Sequence, residues 1–460
     1  MLERLEPKSP KFGPESFSTA GKQRKKSTCM VHNLLNLDLP PEKRIGNYTP
    51  SDSRTNLETI LDSKSRSASQ TNLSQTNLQL MSKDALSEMV VSVRELSFNL
   101  SNLSMKLHLR NILILSKIHD RALVPITREL ALWLISLPTN NGTINVYVQD
   151  ILRDDEEFKY NEVELRHPHK VKHLKFWTQQ MCAKNPNLFD FVITLGGDGT
   201  VLFTSWLFQR VVPPVLCFGF GSLGFMTEYD FKDREEILYS ILEKGVSCSL
   251  RMRFECTVMR ATGSCQGKDY TSLTKELEEA GKTGVFAHHK LGESYCILND
   301  VVVDRGPNPT ITTTELYGDF KLLTAIQADG VVISTPSGST AYSLSAGGSL
   351  VHPDIPGVLV SPICPHTLSF RPLVLPDSLM VRIGVPYDAR VSAWCSFDGK
   401  SRVELRRGDF LNVSASRYPF PKVHDGNSHT SWFGRLSETL HWNERKRQKA
   451  FNYDTLTLKE

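Results

Sequence analysis

The stretch LFDFVITLGGDGT, residues 188–200, decides how the rest of the chain is read. LFDFVITL is an apolar run rich in β-branched and aromatic residues, the pattern of a strand buried on both faces. It runs directly into Gly196, Gly197, Asp198 and Gly199. Strands of this kind belong to parallel sheets, whose ligands collect at the carboxyl ends of the strands. Paired glycines let backbone amides approach a phosphate, and a carboxylate between them can accept a proton or face a metal. The same residues also suit a sharp turn in which the Asp only satisfies the backbone.

Similar strands flank this one. NILILSK (111–117), TINVYV (143–148) and PPVLCFG (213–219) are apolar, and ALVPITRELALWLISL (122–137) has helical periodicity with Pro125 in its early part. VKHLKFWTQQMCAK (171–184) also reads as a helix. Strands alternating with helices predict βαβ units, so residues 110–230 form a Rossmann-like α/β domain with a mostly parallel sheet. Beyond about residue 250 the texture changes to short alternating runs: YCILNDVVVDR (295–305), TTTELYGDF (312–320), KLLTAIQA (321–328), GVVISTP (330–336), LMVRIGV (379–385), RVSAWCSF (390–397) and RVELRRG (402–408). Turn dipeptides such as Gly318-Asp319 and Asp398-Gly399 separate them, which predicts an all-β sandwich over 231–420. The polar segment 266–294 reads as an insertion loop, and SWFGRLSETLHW (431–442) as an amphipathic helix within a C-terminal helix and tail over 421–460. Residues 1–100 read as a Ser/Thr/Asn-rich disordered tail with a repeated TNL at 55–57, 71–73 and 76–78. Apolar spacing from Leu86 to Leu96 allows a docking helix over 83–105.

Composition excludes several classes. With 54 basic against 50 acidic residues, the net charge of +4 is too mild for a protein built around nucleic acid. No apolar run reaches the ~18 residues of a membrane span. The nine cysteines are scattered with no CxxC pair, which argues against a zinc ribbon or a disulfide framework and for free thiols in a reducing compartment. The N-terminus lacks the apolar core of a secretory signal, so a cytoplasmic enzyme is expected. Neither Gly281-Lys282-Thr283 nor Gly399-Lys400-Ser401 has the preceding glycine of a Walker A loop. His167, His169 and His173 are close in sequence but have no evident fourth ligand, so no metal site is assigned. His288 and His289 read as exposed loop residues.

Three further motifs carry chemistry. GFGSLG (219–224) matches GxGxxG, yet no helix opens at once behind it, so it reads as a glycine-rich loop at the same sheet edge. TPSGSTAYS (335–343) leaves an apolar strand that is preceded by Ala328-Asp329-Gly330, and its hydroxyls suit phosphate or sugar; it also suits a turn with a helix cap. Asn299-Asp300 places an amide and a carboxylate side by side, either to grip ribose hydroxyls or to make a turn.

In this order LGGDGT (195–200), GSLGF (221–225), LNDVVVDRG (298–306), ADGVVISTPSGSTAYSLSAGG (328–348), PICPHTLSFRPLV (362–374) and SFDG (396–399) resemble the NAD kinases of the eukaryotic type. The resemblance spans roughly 110–445 and implies a two-domain fold of the kind read above. It implies phosphoryl transfer from ATP to the 2′-hydroxyl of the adenosine ribose of NAD, and of NADH as well, with Mg²⁺ accompanying the ATP and a homo-oligomeric enzyme. Asp198 falls where the family places its proton acceptor. Substrate contacts fall on Gly196, Gly197, Gly199, Phe225 (packed on adenine), Asn299, Asp300, Asp329, Ser337, Thr340, Ala341 and Tyr342. Asp300 departs from the more frequent Asn-Glu pair by one methylene. Two rivals share parts of the pattern. A sphingoid- or diacylglycerol-type lipid kinase carries the GGDG turn but should show an apolar groove, and a non-catalytic NAD-binding sensor would keep the loops without turnover.

Overall fold

A computed structural model describes residues 91–92, 95, 103–117, 120–138, 142–221, 224–262, 272–307, 309–366, 370–424 and 428–442. The tail expected before residue 91 lies outside these. Residues 91, 92 and 95 are helical, whereas Leu103–Met105 is a strand, so the helix expected over 83–105 ends before 103.

The first unit is a nine-stranded sheet. Its spatial order is Leu103–Met105, Val246–Arg251, Phe420–His424, Val215–Gly219, Phe191–Gly196, Asn111–Ser116, Asn145–Gln149 and Leu174–Trp177, with Tyr229–Asp230 paired to Val215–Gly219. The five strands from Val215–Gly219 to Leu174–Trp177 run parallel. Phe191–Gly196 lies among them and is buried at every position, as its unbroken apolar run requires. The helix Leu123–Ser136 takes Pro125 as its third residue, in the first turn, where the missing N–H would have no partner within the helix.

Residues 171–184 are not one helix. Leu174–Trp177 extends the parallel sheet beside Asn145–Gln149, and Trp177 Nε1 donates to the Ile114 carbonyl at 3.0 Å. Thr178 then caps the helix Gln179–Lys184, its hydroxyl accepting from Met181 N. Pairing along a sheet edge overrides the local helical texture of this segment.

The second unit is a sandwich of two six-stranded antiparallel sheets. One is ordered His289–Ile297, Phe254–Ala261, Phe410–Ala415, Val381–Gly384, Thr312–Gly318, Lys321–Ala328. The other is ordered Leu373–Pro376, Gly357–Ile363, Gly330–Ser334, Asp300–Asp304, Ala393–Phe397, Lys400–Leu405. Alternate side chains such as Val258, Leu316 and Leu411 from one sheet meet Val301, Ile333 and Phe397 from the other. The chain leaves the first sheet at Arg251 and returns to it at Phe420, so Val246–Arg251 and Phe420–His424 belong to the α/β unit although they fall at or within the edges of 231–420.

Two sequence expectations change here. The segment 266–294 contains a helix, Leu273–Thr283, and the start of the strand His289–Ile297. Leu273, Leu277 and Ala280, at helical spacing, are buried, and the two leucines pack with Met259, Tyr317 and Phe410. Gly284, at φ +74°, ends the helix in the left-handed region. His289 is 9% exposed and its Nε2 lies 2.9 Å from the Gly408 carbonyl, while only His288 stays exposed.

Candidate active site

The helix Asp198–Leu207 begins where Phe191–Gly196 ends, so Asp198 stands at the carboxyl edge of the parallel strands. Gly196 and Gly219 are partners in adjacent strands, which sets the two glycine-rich loops side by side. The three glycines of GGDG are not equivalent. A Cβ at Gly196 would strike the Thr200 side chain, whereas one at Gly197 or Gly199 would meet nothing within 4 Å. Gly196 therefore serves packing, and Gly197 and Gly199 border open space at a helix start whose first amides have no partner within the helix.

Both oxygens of the Asp198 carboxylate accept from the next loop: Oδ2 from Phe225 N at 2.8 Å and Oδ1 from Met226 N at 2.9 Å. Gly224 makes this approach possible, because a Cβ there would overlap the Asp198 carboxylate and the Thr227 hydroxyl. At its far end the helix is held by Arg253, wholly buried. Its guanidinium donates to the carbonyls of Ser205 (3.3 Å), Phe208 (2.7 Å), Arg210 (2.6 Å) and Tyr418 (2.7 Å). A cation suits the negative end of a helix, and these bonds offset the burial that pulls its pKa down.

YCILNDVVVDR is not one strand. His289–Ile297 lies in one sheet of the sandwich and Asp300–Asp304 in the other, so Leu298 and Asn299 form the corner between them. Asp398, from the turn after Ala393–Phe397, holds that corner. Its carboxylate accepts from Leu298 N (2.8 Å), Asn299 N (2.8 Å) and Asp300 N (3.1 Å). From the other side Thr335 Oγ1 donates to the Leu298 carbonyl at 2.6 Å and Thr335 N to the Asn299 carbonyl at 2.9 Å. The clamp leaves Asn299 Oδ1 buried without a hydrogen-bond partner, and Ser337 Oγ of the TPSGSTAY loop is in the same condition. Buried polar atoms of this kind are ordinarily satisfied by a ligand or water.

Asp300 is 6% exposed. Burial first, and the nearby Asp398 second, raise its pKa to about 7. Tyr342 is exposed, and its phenol is pushed up by partial burial and by the acidic surroundings of Asp304, Cys364, Asp300 and Asp329. Asp329 also pairs with Arg305 Nε at 3.1 Å. Thr340 Oγ1 donates to the Ser337 carbonyl at 3.3 Å, and Ala341 N to the Gly338 carbonyl at 2.9 Å.

Asp300, Asp329 and Tyr342 thus share one electrostatic neighbourhood, next to the Asn299 corner. Asp198, Gly197, Gly199 and Phe225 form a second cluster. One apolar core, with Leu298 beside Val201, Leu207 and Met226, ties the corner to the helix that carries Asp198. Arg253 and Asp398 received no role from the sequence. The DG turn at 398 is the signal for Asp398, which sits at φ +48°, a conformation Asp tolerates better than most residues. Among the described residues, His, Cys, Asp and Glu form no group of three or more that could hold a metal.

A strand-end carboxylate edged by open glycines, beside a corner with stranded polar atoms and a loop of small hydroxyl residues, is the layout of a phosphotransferase that works on a nucleotide. Comparison with known proteins sharpens that class. Residues 112–246 match the family model described as ATP-NAD kinase N-terminal domain, and 298–424 match ATP-NAD kinase C-terminal domain. The chain is 41% identical to an NAD(+) kinase of Saccharomyces cerevisiae over 78% of its own length and 65% of the relative's. It is 40% identical to an ATP-NADH kinase of the same yeast, over 78% and 69%. The crystal structure of yeast NADH kinase complexed with NADH superposes with a TM-score of 0.58 at 29% identity, covering 74% of this chain and 90% of that one. The chain belongs to the ATP-NAD kinase family.

Proposed function

We propose that the protein transfers the γ-phosphoryl group of ATP to the 2′-hydroxyl of the adenosine ribose of NAD, and also of NADH, giving the phosphorylated dinucleotide and ADP, and so acts in NADP biosynthesis. The observation that carries this reading is the setting of Asp198, at the strand edge, oriented by two amides and flanked by glycines open to ligand. A ribose hydroxyl must lose its proton as the phosphoryl group arrives. A carboxylate has about four lone-pair sites, so two remain to take that proton after the Phe225 and Met226 amides are served. Gly197 and Gly199 admit the phosphates, and Phe225 packs on the adenine. Asn299 and Asp300 take ribose hydroxyls, and the orphaned Asn299 Oδ1 and Ser337 Oγ support that assignment. Asp329, Thr340, Ala341 and Tyr342 complete the dinucleotide contacts. Gly196 packs closely against Thr200 and presents its backbone at the same edge as Gly197 and Gly199.

Mg²⁺ bound to the triphosphate would neutralise charge there. An ion of this kind is carried chiefly by phosphate oxygens and water, with one or two carboxylates at most. We take the enzyme to be a homo-oligomer, as the family resemblance implies, and to be cytoplasmic, as its scattered cysteines suggest. Light scattering and cell fractionation check these two points. No helix among the described residues is long and apolar enough to cross a membrane.

Asp198→Asn tests the reading. Turnover with ATP and NAD should fall by ~10²–10⁴, because general-base catalysis contributes about that factor, while NAD binding holds and stability drops by only ~1–3 kcal/mol, because the Asn NH2 must face one of the two backbone N–H groups. Near-normal kcat would remove Asp198 from the chemistry. Running the same assay with NADH and with a sphingoid base separates the acceptors.

A further inference from the structure

The loop that orients Asp198 is itself gripped from behind. Arg435 Nη1 donates to the carbonyls of Gly224 and Thr227, each at 2.6 Å. The Gly224 carbonyl and the Phe225 N–H belong to one peptide group. A continuous path therefore runs from the Arg435 guanidinium through that peptide to Asp198 Oδ2, with a cation at one end and a carboxylate at the other. Hydrogen bonds in such chains polarise one another, and each charged end strengthens its own bond.

Arg435 belongs to the helix Ser428–Thr439, 211 residues from Gly224 along the chain. The helix is seated on the body of the protein rather than on the loop alone. Trp432 is 7% and Leu436 2% exposed, and the Trp432 ring lies 5.0 Å from that of His352. The loop is also short of slack, since a Cβ at Gly224 would already collide with Asp198 and Thr227. Small movements of the Arg435 end thus reach the carboxylate.

We propose that Arg435 is a positioning residue for phosphoryl transfer, which sets the Asp198 carboxylate by fixing the Gly224–Phe225 peptide from the C-terminal helix. The proposal rests on Asp198 as the proton acceptor, and its test keeps the two apart. Arg435→Met retains an apolar stem but donates nothing. It should lower kcat by roughly tenfold, the loss expected for one charge-assisted hydrogen bond. Both bonds come from a single nitrogen, so Arg435→Lys, whose ammonium carries three donors, should stay within about threefold of wild type.

A double-mutant cycle with Asp198→Asn gives a readout that a merely structural role would not move. If Arg435 acts through Asp198, adding Arg435→Met to Asp198→Asn should change kcat by less than twofold. The same tenfold loss in both backgrounds, or wild-type kcat in Arg435→Met alone, overturns the proposal while leaving a slow Asp198→Asn as evidence for the base. A near-normal Asp198→Asn overturns the base reading and this route with it. Should Arg435→Met fail to fold, Arg435→Gln, neutral but still a donor, carries the same cycle.

Discussion

Two aspartates in this molecule do the same thing with opposite ends in view. Asp198 accepts two backbone N–H groups from the loop Phe225–Met226, and Asp398 accepts three from the corner Leu298–Asp300. At the sheet edge the segment orients the aspartate, and lone pairs remain for a substrate. In the sandwich the aspartate orients the segment, and the groups left over for a ligand are those of Asn299 and Asp300. The first arrangement is held from outside by Arg435, the second from the far side by Thr335. An acid hydrogen-bonded to several amides can therefore be either the reacting group or a strut. Only what surrounds it tells which: two glycine-rich loops at a sheet edge in one case, and a chain corner clamped from its far side by Thr335 in the other.

The sharpest way to break the comparison is at the glycine on each side of Asp198. Gly224→Ala pushes a methyl into the carboxylate, and a displacement of about 1 Å near reacting groups can cost ~10²-fold in rate. Turnover should fall by about that much. Gly199→Ala, placed in open space, should leave thermal stability within about 1 kcal/mol and act through KM for substrate. Equal effects at the two positions would mean that the loop does not hold Asp198 in solution as it does in the structure.

The strut is tested next. Asp398→Asn keeps the shape but turns one acceptor oxygen into an NH2 that faces a backbone N–H, and leaving that buried donor unsatisfied costs ~1–3 kcal/mol. The melting temperature should drop accordingly. KM for NAD should rise more than KM for ATP, because the corner carries Asn299 and Asp300. A variant with lowered stability and an unchanged KM for NAD would leave Asp398 structural only.

Much of this was legible in the chain, and the reasons are specific. LFDFVITL reads as a strand buried on both faces, and its run into GGDG places Asp198 at the edge where the structure has it, although the strand itself is Phe191–Gly196 and Leu188 closes a 3-10 turn before it. The corner at 298 was hidden. Both of its arms alternate in the same way, and periodicity does not record a crossing from one sheet to another. LKFW at 174–177 was hidden too, because four residues of strand beside a helix start average into a helical pattern. The helix over 273–283 does carry an i, i+4, i+7 signal in Leu273, Leu277 and Ala280, masked by the charged residues between them. Arg253 and Arg435 had no local signal at all, since each finds its carbonyl partners far away in sequence.

The effect spread most gradually over conditions, and the most diagnostic, concerns Asp300, whose carboxyl is pushed up to about 7 by burial. Its pKa is about 7 in the fold, against roughly 3.9 in an unfolded chain. The folded protein therefore binds more protons than the unfolded one between those values. The stability that the neutral carboxyl provides is fully present below about pH 4, and it is lost as pH rises through 7. The slope is at most about 1.4 kcal/mol per pH unit. Asp300→Asn should flatten this slope, so that unfolding curves from pH 4 to 8 converge with wild type at the acid end and show the variant more stable at the alkaline end. The substrate imposes the reverse demand. A carboxyl group accepts from a ribose hydroxyl more strongly when ionised, so NAD affinity in wild type should rise as pH climbs from 6 to 8. Asp300→Ala should cost roughly ten- to hundredfold in that affinity at pH 8, and Asp300→Glu should keep most of it. If affinity is flat with pH while stability is not, Asp300 shares the strut's role with Asp398 and does not touch the dinucleotide.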